Sequence, residues 1–115
     1  MSDLEKVKCF LADEGIRLIH DETLANFFGD PIRATCENAH TIVARASGIT
    51  VPVLLHEYGH CVCGLGCCRE HDEIKAQGAA RAAAKRLEID LPLEEDDHVI
   101  KHYAGRSQCP LVASD

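Results

Sequence analysis

The apolar positions of the chain begin at helical spacing. Leu4, Val7 and Leu11 recur between Ser2, which has Glu5 three residues on as in a capping box, and Gly15, and this predicts a helix over residues 3–14. The period then shortens. Residues 16–20, Ile-Arg-Leu-Ile-His, alternate weakly and read as a short strand. Asp21 to Phe28 fits a helical turn that buries Leu24, Phe27 and Phe28, with Gly29-Asp30-Pro31 as the turn after it. Ile32 to Cys36 and His40 to Ala46 are two extended runs separated by Glu37-Asn38-Ala39, a hairpin closed off by Ser47-Gly48. Together these runs predict a small three-stranded sheet.

Helical spacing returns after Thr50. Pro52 suits a first helical turn, where its missing N–H costs nothing, and Thr50 is placed to cap in front of it. A helix is expected from Val51 to Cys63, ended by Gly64 and Gly66, which accept the left-handed backbone that helix ends use. Strong helix formers then run from Arg69 to Glu88. At 100° per residue Glu73, Ala76, Gln77, Ala80, Ala84 and Leu87 form one stripe, with Lys75, Ala82 and Arg86 opposite. A stripe of Ala lets two helix axes approach closely. Pro92 and the acidic run Glu94-Glu95-Asp96-Asp97 open a last helix through about Tyr103, and residues 105–115 read as a loose tail. The expected fold is α+β, a three-stranded sheet packed on a helix pair in one domain over residues 1–104.

Composition narrows the function classes. A chain of 115 residues has room for one core but not for two lobes around a deep cleft. The net charge of −7 argues against a nucleic-acid duplex as direct partner. No apolar run approaches the roughly 20 residues that span a bilayer, and residues 2–14 mix charges throughout, unlike a targeting segment. Seven Cys, odd in number and clustered, fit reduced thiols in a cytoplasm better than a disulfide framework.

The chemistry gathers at His56-Glu57-Tyr58-Gly59-His60, an H-E-x-x-H motif inside the helix expected from Val51. Residues four apart stand above one another on a helix, so His56 and His60 can offer two imidazole nitrogens to one Zn²⁺. Glu57 then lies beside the ion, placed to take a proton from a water that the metal activates. A third ligand follows from helix levels. From His60 the first helix descends about 6 Å to Gly64, and from Cys68 to Glu73 the second climbs about 7.5 Å, so Glu73 returns to the level of His60. Glu70 and His71 are alternatives for that position. The cluster Cys61, Cys63, Cys67, Cys68 and His71 offers a different, thiolate metal site. His98, His102 and Tyr103 are candidate donors to an oxyanion.

These residues resemble a known group. His56-Glu57-Tyr58-Gly59-His60, followed after a short link by Glu73-x-x-Ala76-Gln77-x-Ala79-Ala80, resembles the ImmA/IrrE-type metallopeptidases, gluzincins with the pattern H-E-x-G-H then E-x-x-A-[N/D/Q]-x-[F/A]-A. The likeness spans about residues 16–90. Two departures stand out, a shorter link from His60 to Glu73 and Ala79 where Phe is common. The resemblance implies a zincin-like fold, Zn²⁺ on His56, His60 and Glu73, Glu57 as general base, and cleavage of helix-turn-helix repressors of phages and mobile elements. Substrate is expected along His40 to Ala46, taken as an edge strand. Two other functions are compatible with the sequence, a metal-binding regulatory module that docks without cutting and a Cys-rich metal or redox sensor.

Overall fold

The computed structural model describes residues 1–64 and 69–91. Helix α1 spans Asp3–Asp13, with the Ser2 hydroxyl accepting from the Glu5 amide at 3.1 Å. Val7, Phe10 and Leu11 are its buried face, and Leu4 packs against the same core. Strand β1 is Arg17–His20, β2 is Ala34–Asn38 and β3 is Thr41–Ala44. The three form one mixed sheet in the order β1-β3-β2, with β1 parallel and β2 antiparallel to β3. The fold is thus a small α+β arrangement, as the alternation of periods implies.

Details of the sheet differ from expectation in two ways. The hairpin turn is Ala39-His40 rather than Glu37 to Ala39, because Asn38 pairs with Thr41 and its side-chain oxygen accepts from the His40 amide at 2.8 Å. The register shifts between Cys36 and Asn38, which takes Glu37 out of the ladder. More consequential is the strand order. The segment expected to be an edge strand for substrate is β3, the centre of the sheet, so both its sides are already paired. Among the described residues the free edges belong to β1 and β2. Short alternating runs give pairing partners but not the order in which they pair.

Helix α2 spans Val51–Cys63 and α3 spans Arg69–Arg86. Thr50 occupies the N-cap of α2 with extended backbone, but its hydroxyl caps nothing and is buried without a partner. The N-cap bond normally goes to the amide two or three residues on, and Pro52 has no amide to give. Gly64 ends α2 at φ +66°, its amide bonded to the His60 carbonyl at 3.0 Å. Leu54, Leu55, Tyr58 and Cys61 of α2 pack into a core with Val7, Phe10, Leu11, Ile16, Ile42 and the Ala80, Ala83 and Ala84 face of α3. The Phe10 and Tyr58 rings meet edge to face at 4.8 Å.

The stripe along α3 is as its spacing predicts. Ala76, Gln77, Ala80 and Ala84 are buried and Lys75, Ala82 and Arg86 exposed. The approach of the two helices is limited by backbone rather than side chain: a Cβ on Gly59 would lie 2.1 Å from the Ala76 carbonyl oxygen. No helix among the described residues is long and apolar enough to cross a membrane. The last helix expected after Pro92, with His98, His102 and Tyr103, and the tail 105–115 lie outside the described residues.

Candidate metal centre

Close packing of α2 on α3 brings three ligating groups together. One ligand atom each from His56, His60 and Glu73 lies within 4.8 Å of the others, and this is the group of His, Cys, Asp or Glu side chains among the described residues able to hold a metal ion. His56 Nε2 is 2.6 Å from Glu73 Oε2, and His60 Nε2 is 3.1 Å from Glu73 Oε1. All three side chains are about one-fifth exposed, open on one side to solvent. Glu73 reaches both imidazoles; the side chains of the alternatives, Glu70 and His71, lie outside the described residues.

The electrostatics of the three groups follow from their contacts. Burial raises the pKa of Glu73, but the hydrogen bonds from His56 and His60 outweigh it and hold the carboxylate far below its usual range. Burial pulls His56 down, yet its bonds to Glu73 and Gln77 carry the net shift upward. Glu57 is raised, first by burial, with the His60 and His56 charges opposing. It is therefore a stronger base than a solvated carboxylate.

Gln77 has a place that its position on the stripe did not reveal. Its Oε1 lies 2.8 Å from His56 Nδ1, one helical turn beyond Glu73. Accepting from Nδ1–H fixes the ring and turns Nε2 toward the other ligands, the usual service of a polar neighbour to a metal-binding His. The sequence signal was available, since an i, i+4 pair of polar residues on an inward Ala stripe needs partners.

No family model, curated protein or solved structure matches the chain. The site therefore rests on its own geometry. Two imidazoles and one carboxylate, with a buried amide orienting one imidazole, match the three-ligand sets in which zinc keeps a fourth position open. The thiolate alternative is not assembled among the described residues. Cys61 Sγ lies 2.9 Å from Cys36 Sγ on β2, whereas Cys63 Sγ points to the Lys75 carbonyl at 3.7 Å; Cys67 and Cys68 lie outside the described residues. Burial pushes both the Cys36 and the Cys61 thiol above the ordinary value, which suits apolar contact rather than ligation. The pairing of Cys36 with Cys61 depends on how β2 crosses α2, and nothing in the spacing announces it.

Two of the three ligating groups, His60 and Glu73, line a cavity of about 800 Å³ together with Glu57. It is also lined by Thr35, Cys36 and Glu37 of β2, and by Phe27 and Phe28. Phe27 and Phe28 are exposed, contrary to the expectation that they would be buried. The segment from Asp21 forms turns held by its own Asp and Asn side chains instead of a helical turn, which leaves Leu24 half-buried and both rings outside. A second cavity of about 860 Å³ between α1 and β1, lined by Leu11, Ile16 and Leu18, has no group of ligating side chains. Chemistry favours the first.

Proposed function

We propose that the protein is a zinc-dependent endopeptidase of the ImmA/IrrE type with a zincin-like arrangement of its site. The convergence of His56, His60 and Glu73 on one point beside Glu57 carries this reading. A zinc ion held by those three residues would supply Lewis-acid activation of water and of a peptide carbonyl. The chain supplies the rest. Glu57 accepts the proton of the attacking water at its carboxylate, and its raised pKa suits it to pass that proton to the leaving amine. Gln77 orients His56, and Glu73 balances the positive charge of the centre. Substrate lies extended against the free edge of β2, which takes the role expected of the segment His40 to Ala46.

The substrate class follows from the family resemblance together with the charge of −7, which favours a basic partner such as a DNA-binding repressor. The test compares zinc-loaded protein with Glu57→Gln on a helix-turn-helix repressor encoded beside it. Glu57→Gln should keep the zinc and lose cleavage by about 10²–10⁴-fold. Normal cutting by the Gln variant would remove Glu57 as the base, and repressor regulation that survives it intact would favour docking without proteolysis.

A further inference from the structure

Phe27 and Phe28 are 97% and 84% exposed, while the remaining phenylalanine of the chain, Phe10, is 7% exposed in the core. Two adjacent phenylalanines in water are unfavourable unless something covers them. Their rings meet edge to face at 5.6 Å, which shields little of either. The loop does not let them turn inward. Asn26 Oδ1 accepts from the Phe28 and Asp30 amides at 2.9 and 3.0 Å, and the Asn26 amide donates to the Asp30 carbonyl at 2.8 Å. Ala25 bridges Pro31, and Arg45 Nε donates to the Leu24 carbonyl at 2.9 Å, tying the loop to the residue after β3. The aromatic pair is thus displayed by a fixed turn and not by a slack one.

Its place gives the display a purpose. The pair lines the same cavity as Glu57, His60 and Glu73, and residues of β2 line it as well. Among the described residues no strand pairs with the outer edge of β2, so an extended polypeptide could add there and enter the cavity that the metal ligands and the two rings share. Side chains of such a polypeptide alternate, and every second one would face the aromatic rim. Ile32 and Ala34 add apolar surface beside it.

We propose that Phe27 and Phe28 are specificity-determining residues that receive apolar side chains, of the size of leucine, from a polypeptide laid along β2. The proposal rests on the metallopeptidase reading and adds the class of side chain that the cleft selects. It is tested with two probes that share a zinc-binding group, trileucyl hydroxamate and triglycyl hydroxamate, titrated into the zinc-loaded full chain. The wild-type protein should bind the leucyl probe at least about tenfold more tightly. Phe27→Ser with Phe28→Ser, at exposed positions that leave the core intact, should reduce that preference to about twofold while zinc content and triglycyl affinity stay unchanged. A preference that persists in the double variant, or is absent from the wild type, overturns the proposal. So does a wild-type dimer that the double variant converts to monomer by sedimentation, because the rings would then cover a second copy. Failure of the metal reading looks different: no zinc is retained, neither hydroxamate binds, and the inference falls with it.

Discussion

His56 faces two acceptors, Glu73 Oε2 and Gln77 Oε1, an arrangement that favours the protonated ring. Its pKa is raised above the ordinary 6.5, and its contribution to stability is complete below that value and lost as pH rises through the shifted one. Glu73 is shifted the other way. Its contribution is present above the ordinary 4.5 and lost only as pH falls well below it. The pair therefore stabilises the metal-free fold most fully between these two ordinary values. Zinc competes for the nitrogen that carries the proton, so its apparent affinity should climb as pH rises through the raised pKa of His56 and level off above it. Calorimetry in two buffers of different ionisation heat should record proton release on zinc binding below that pKa and less above it. A flat affinity with no proton release would mean that His56 is not a ligand. His56, Glu57 and His60 were legible because their spacing is local, while the bond from Gln77 to His56 needed the second helix in place.

Helix α2 can meet α3 closely only because Gly59 and Ala76 present almost no side chain to each other. A methyl group at Gly59 would press on the Ala76 carbonyl carbon and oxygen, both backbone atoms that cannot swing aside. Gly59→Ala should cost about 1–3 kcal/mol in denaturant unfolding. It should also weaken zinc binding, since Glu73 lies one turn before Ala76 and would be carried away from His60. Unchanged stability together with unchanged zinc affinity would show that the helices do not pack as described. The stripe on α3 was readable from period alone, and so was the level of Glu73. The sheet order was not, because β1, β2 and β3 are only four or five residues long and carry no signal for which becomes central. Phe27 and Phe28 misled for a related reason. Adjacent apolar residues ordinarily report burial, and here the Asn26 turn holds both outside the core.

At the scale of the whole molecule, one small core among the described residues carries a three-stranded sheet, two close-packed helices on which the ligating groups meet, and a cavity lined by His60, Glu73 and β2. Everything proposed about activity depends on a metal being held at that meeting point. The direct test is the metal content of the purified chain by mass spectrometry, for the wild type, for His56→Ala with His60→Ala, for Glu73→Ala, and for Cys61→Ala with Cys63→Ala. About one Zn²⁺ per wild-type chain is expected, with loss in the histidine and glutamate variants and retention in the cysteine variant. Stoichiometric zinc surviving the double histidine substitution, or lost with the cysteines alone, would contradict the assignment of His56, His60 and Glu73 as the metal centre.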